Sequence, residues 1–147
     1  AAGKVVLITG ARSQPFWGSS YFHNRDFRQR RPYPRVTMAP ATARALGLVE
    51  GDWARLSNKN GSAVFNVAFQ DMPEGVASAE YGWWLPEAPP GAPGYSGSLT
   101  SNINMLTDNG IEGCEPLIGT WTYNGIEALV EKTSRPIEFD RASSSNA

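Results

Sequence analysis

Turn-forming residues break this chain into pieces too short for a helical bundle. Fifteen Gly and eleven Pro are spread over 147 residues. Between them lie apolar runs of three to eight residues, the length of strands rather than helices. Val5–Ile8 is a continuous apolar run that ends in the polar stretch Thr9 to Pro15. Val36–Met38, Trp53–Ser57, Ser62–Phe69, Val76–Ala79 and Ile126–Val130 read as further strands. Asn58-Lys59-Asn60-Gly61 joins two of them as a hairpin, since Asn-Gly supplies the positive φ values of a tight turn. Phe65, Val67 and Phe69 alternate with period two and mark a core-facing stripe. Pro40 opens one short helix, Ala41 to Leu46, and Gly47 stops it. The expectation is one mainly β domain over residues 1–133, followed by a polar, disordered or extended tail over 134–147.

Composition excludes several functional classes. A 41% hydrophobic and 18% charged chain is ordinary for a globular domain. No apolar run is long enough to span a bilayer, so direct membrane insertion is not expected. The start, Ala1-Ala2-Gly3-Lys4, carries no signal-peptide core. One Cys and one His give no internal disulfide and no self-contained zinc site. Cys114 has no evident His or Asn partner and reads as a packed or loop thiol rather than a nucleophile. The net charge of −1 is uneven. Residues 1–35 hold seven basic groups and one acid, and the remainder holds six and thirteen. Nucleic-acid binding is not expected without an overall basic balance. The Arg-rich start fits a local anion site, a salt-bridged contact or a solvated face. Thr9 to Pro15 lacks Gly-x-Gly-x-x-Gly, so a Rossmann reading has no support.

The chemistry concentrates between Glu80 and Thr107. Gly82-Trp83-Trp84-Leu85-Pro86-Glu87 offers flat aromatic faces, and Asn102 and Asn104 point the same way if that segment is extended. Their amides each carry donors and an acceptor, as the edge of a heterocycle requires. A mouth for a planar, hydrogen-bonding ligand is one reading, and an irregular loop whose Trp residues plug a barrel end is the other. The Pro/Gly-rich Ala88–Gly94 connection is long enough for a functional or mobile loop. Phe16 to Phe27 is a second aromatic, irregular stretch, with His23 and Asn24 inside it. A lone His in such a setting is as a rule a hydrogen-bonded structural residue.

Gly-Trp-Trp-Leu-Pro-Glu followed by Ser101-Asn102-Ile103-Asn104-Met105-Leu106 resembles the C-terminal domain of molybdopterin-dependent oxidoreductases of the dimethyl sulfoxide reductase superfamily. The resemblance runs from Val5 to about Val130 and is nearest the acetylene hydratase-like and anaerobic dehydrogenase branch. It implies a double-psi β-barrel with one or two short helices. It also implies that loops at one end grip a molybdopterin guanine dinucleotide, one of the pair (bis-MGD) holding Mo or W in a parent enzyme. Thr9-Gly10-Ala11-Arg12-Ser13 is similar to the family's dinucleotide-contact loop, which implies contacts from Thr9, Gly10, Arg12, Ser13 and Gln14. His23 and Asn24 resemble a segment near the pterin, and Trp83, Trp84, Asn102 and Asn104 complete the implied site. Met38-Ala39-Pro40 through Gly51-Asp52 resembles the scaffold motif, with Ala39 where the family has a helix-capping Asn. That weakens the helix start by about 1 kcal/mol. The metal ligand of the family lies in another domain, so Cys114 inherits no such role. The implied partners are the remaining domains of the oxidoreductase and an iron–sulfur subunit. The isolated domain is expected to bind no metal or cofactor and to have no catalysis of its own. The competing reading is a non-catalytic double-psi barrel used as an interaction module. It leaves the Thr9, Trp83 and Asn102 motifs unexplained.

Overall fold

A computed structural model of the chain describes residues 3–12, 14–86 and 95–140. Six strands close into a barrel: β1 (Gly3–Ala11), β2 (Arg35–Met38), β3 (Trp53–Ser57), β4 (Ser62–Phe69), β5 (Val76–Glu80) and β6 (Asn124–Thr133). Around the barrel the order is β1-β5-β2-β4-β3-β6, with β6 pairing back onto β1. β1–β5 and β2–β4 are parallel, and the other neighbours are antiparallel. This is the expected double-psi β-barrel. Its closure removes the sheet edges that would otherwise template aggregation.

The strands form where the short apolar runs predict them. Val5 and Leu7 point into the barrel while Val6 and Ile8 point out. Phe65 and Val67 are buried with Leu56, Val36, Met38 and Val130, and the half-buried Phe69 packs against them. The hairpin closes at Asn58, whose N–H donates to Gly61 O at 3.0 Å. β1 runs to Ala11, past the expected end at Ile8, because the ladder continues through a register shift between Ile8 and Ala11.

Among the described residues, α1 (Arg25–Arg30) and α2 (Pro40–Ala45) flank the barrel. α1 lies where the sequence suggests irregular chain. Asn24 starts it by accepting the Phe27 N–H at 3.1 Å, which satisfies one of the orphan donors of the first turn. The Arg cluster is therefore not simply a solvated face: Arg28 is buried. α2 (Pro40–Ala45) is the predicted helix, and Ala39 makes no side-chain cap bond. It stops at Gly47, after which Leu48 N–H closes onto Ala43 O at 2.8 Å.

The tail expectation changes over 134–140. Phe139 is buried on the outside of the barrel against Trp53, Val64 and Leu85, which explains why β4 buries residues on both faces. Arg135 stacks over the Tyr33 ring and pairs with Asp140. Residues 141–147 and the Ala88–Gly94 loop lie outside the described residues. Among the described residues no helix is long and apolar enough to cross a membrane.

Asp52 of the scaffold motif accepts from Lys132 Nζ at 2.8 Å and from the Val49 N–H at 3.0 Å. The Lys132 bond, followed by that backbone bond, holds its pKa below the usual carboxylate value. A depressed folded-state pKa contributes stability that is present above the unfolded value and lost as pH falls through the folded one. The melting-temperature advantage of wild type over Asp52→Asn should thus be constant above about pH 5 and shrink below about pH 4. A constant difference down to about pH 2 would show the Lys132 contact to be without thermodynamic weight.

Candidate functional site

The parallel pairing of β1 with β5 decides where the functional loops go. Leu7 pairs with Ala77 and Ala11 with Glu80, so the two strands deliver their C-terminal ends to the same end of the barrel. β6 begins there too, with Asn124 opposite Ile8.

Glu80, the last residue of β5, organises the segment that leaves the strand. Only 5% exposed, its carboxylate accepts from the Arg35 N–H at 2.9 Å, Trp83 Nε1 at 3.0 Å and Arg31 Nη1 at 3.0 Å. The Arg31 pKa is lowered by burial, against the opposing pull of Glu80. Gly82 then turns the chain at φ +78° and approaches Ser19 so closely that a Cβ would lie 2.8 Å from its Oγ. Trp84 Nε1 donates to Ser19 O at 2.8 Å, stitching this segment to the aromatic loop.

The two tryptophans take different roles. Trp83 is buried edge-on to Phe16 and Phe22, at 5.6 and 4.9 Å between centroids. It is core first, as in the barrel-plug reading. Trp84 is half-exposed, with the ring of His23 edge-on at 5.2 Å. Asn102 and Asn104 are not extended. Asn102 caps a 3-10 turn, Ile103–Leu106, by accepting the Asn104 N–H at 3.0 Å. The turn buries Ile103 and Leu106 and still leaves both asparagine side chains on the same surface.

Two adjoining hollows result. The first, about 470 Å³, is lined by Ser19, Trp83, Trp84, Ser96, Asn102 and Asn104, with Tyr81. The second, about 600 Å³, is lined by Thr9, Gly10, Arg12, Asn109, Tyr123 and Asn124, with Tyr81 and Asn104 again. Tyr81 and Asn104 are the shared wall. Thr9 lines the hollow with its donors already used: its N–H bonds Asn124 Oδ1 at 2.9 Å and its hydroxyl bonds Tyr123 O at 2.6 Å. Thr9 therefore gives its own donors to the end of β6 rather than to the hollow. Arg12 rests its guanidinium 5.1 Å from the Trp17 ring centroid, a contact of modest strength when exposed.

Thr9, Gly10, Arg12, Trp83, Trp84, Asn102 and Asn104 thus come together, and His23 joins at the rim through Trp84. Gln14 lines neither hollow. Asn24 spends its oxygen on α1 and faces a separate aromatic hollow with Trp17, Tyr21 and Phe27. Ser13 lies outside the described residues. Sequence reasoning misses Tyr81, Ser19, Tyr123 and Asn124. Tyr81 carries a usable signal, since it stands between Glu80 and the Trp pair. Tyr123 and Asn124 gain meaning only from the pairing of β6 with β1.

Among the described lining residues there is no carboxylate, although the chain has fourteen acidic residues. Amides, hydroxyls, aromatic faces and one guanidinium suit an anionic ligand with a heterocyclic part.

Residues 5–126 match the model of the molydopterin dinucleotide binding domain. The chain belongs to that family. The matched span includes both the scaffold motif and the loops that the interaction-module reading leaves unexplained. The domain is 27% identical over 123 residues to acetylene hydratase of Syntrophotalea acetylenica, covering 82% of this chain and 17% of that protein. It is also 27% identical over 132 residues to dopamine dehydroxylase of Eggerthella lenta, covering 88% of this chain and 12% of that protein. The solved structure of acetylene hydratase from Pelobacter acetylenicus superposes with a TM-score of 0.81 at 28% identity, over 88% of this chain and 18% of that one. The domain therefore spans less than a fifth of the length of these relatives.

Proposed function

We propose that this domain grips a molybdopterin guanine dinucleotide across the two hollows, as part of a larger molybdenum or tungsten oxidoreductase. The observation that carries the reading is the convergence of Arg12 and Asn104 on one surface whose described lining residues include no carboxylate, with Tyr81 between the hollows. Asn104 presents its amide to a heterocycle edge, and Arg12 leans off Trp17 toward a phosphate or a pterin oxygen. Trp84 offers the stacking face, while Trp83 fixes the floor beneath it. Asn102 keeps its oxygen on the 3-10 turn and holds Asn104 in place. When bound, the group supplies the metal-centred chemistry; this domain binds and orients it. The remaining domains, together with an iron–sulfur subunit, complete the enzyme. The domain alone is not the catalyst.

A charged hydrogen bond contributes about 1.5–3 kcal/mol, so Arg12→Ala should weaken cofactor retention by about ten- to a hundredfold. Asn104→Leu should act similarly by leaving polar atoms of the ligand unpaired. Pterin content of the purified full-length protein measures both. Full occupancy in both variants would defeat the assignment.

A further inference from the structure

Residues 108–121 leave the rim of the second hollow and return to it, with Asn109 on the outgoing side and Tyr123 and Asn124 on the return. Between them the chain is a tongue held by its own hydrogen bonds. Trp121 Nε1 donates to Gly110 O at 2.9 Å, and Cys114 bridges Trp121 across the tongue. Toward the tip, Glu115 N–H donates to Thr120 O at 2.7 Å and Gly119 N–H to Glu115 O at 2.9 Å. The Glu115 carboxylate accepts the N–H groups of Leu117 and Ile118 at 2.9 and 2.8 Å. These backbone groups need no partner from outside. The apolar side chains differ: Ile111 and Leu117 are each 88% exposed and Ile118 is 74% exposed. A hydrogen-bonded tongue that holds three large aliphatic side chains in water has the character of an interaction surface.

We infer that the tongue is a docking element that seats Ile111, Leu117 and Ile118 in an apolar recess of a neighbouring domain of the same polypeptide. This rests on the reading of the chain as part of a larger enzyme. Two observations favour that occupant over a second copy of the chain. The relatives are several times longer, since the match covers 17% and 12% of them. The tongue also springs from the rim of the candidate site. Both hollows open at the surface of this domain, beside the root of the tongue, so a neighbouring domain seated on the tongue would lie next to a bound dinucleotide. A second copy docked at the tongue would compete for that space.

The test places p-benzoylphenylalanine at Leu117 of the full-length protein, with the exposed Gln70 as control site. After irradiation, cross-linked peptides are mapped by mass spectrometry and pterin is assayed in the wild type. The expected result is a link from position 117 to a peptide outside these 147 residues, within a single chain. Adding Ile111→Ser and Ile118→Ser should abolish it. A link between two copies, a link confined to this domain, no link above the Gln70 control, or a link that survives both serines would overturn the inference. Pterin-free wild type with the intramolecular link would defeat the cofactor reading and leave the docking intact; pterin-loaded wild type without the link would defeat the docking alone.

Discussion

Glu80→Leu should lower the melting temperature more than any other single change at the candidate site. The carboxylate accepts three hydrogen bonds while 5% exposed. Leucine fills the volume but strands the Arg35 and Trp83 N–H groups and removes the ion partner of Arg31. Breaking a buried pair from one side costs about 3–5 kcal/mol. The Arg31 side chain keeps 20% exposure, so some of its hydration survives and about 3 kcal/mol is expected. For a chain of this size that is a fall of roughly 10 °C. Glu80→Gln keeps an acceptor and the shape, so it should lose about half as much. Thermal unfolding followed by circular dichroism measures both. A leucine variant melting within about 2 °C of wild type would mean that these hydrogen bonds do not hold α1, β2 and Trp83 together.

The second large effect is expected at Gly82, which joins stability to the site. An added Cβ meets Ser19 Oγ at 2.8 Å and the backbone of Gly18 and Ser19 at 3.3 Å. The hydroxyl can rotate away; the backbone cannot. A residue other than glycine at φ +78° adds about 1–2 kcal/mol of its own. Gly82→Ala should therefore cost about 2–3 kcal/mol. It should also push the Gly18-Ser19 segment off Trp84, stretching the Nε1–Ser19 bond and opening the first hollow. Gly51→Ala is the internal control: it shares the left-handed backbone at φ +87° but a Cβ there meets nothing within 4 Å, and it lines neither hollow. The difference between the two variants isolates the close approach. Equal destabilisation would show that backbone conformation alone accounts for the effect. Pterin content of full-length Gly82→Ala protein, compared with Gly51→Ala, reads the consequence for the first hollow.

Much of the barrel was legible in the chain itself. A continuous apolar run marked β1 but not which of its faces is buried, period-two alternation marked the inward face of β4, Asn60-Gly61 marked the hairpin, and Pro40 and Gly47 bracketed α2. These signals are local: a turn needs its own residues, and a strand face needs only its neighbours at i±2. The motifs at Gly82–Trp84 and Asn102–Asn104 likewise stood out from their residue types alone. The pairing partners were not legible. Alternation says which side of a strand is buried but not which strand lies beside it. The parallel β1–β5 ladder brings Arg12 to the end where Tyr81 leaves β5, the bonds of Asn58 and Asn60 to Leu106 O and of Ser101 to Val64 O seat the Asn104 turn there, and the β6–β1 ladder adds Tyr123 and Asn124. Tertiary structure also divided two adjacent tryptophans: Trp83 is buried where Glu80 and Phe22 meet it and lines the first hollow from beneath, while Trp84 stays half-exposed at its wall. It gave Asn24 a second task as the cap of α1. It also turned Phe139 from tail into an anchor on Trp53. Each of these outcomes depends on contacts distant in sequence, where burial and hydrogen-bond supply are set by the packed neighbours and not by the residue's own type.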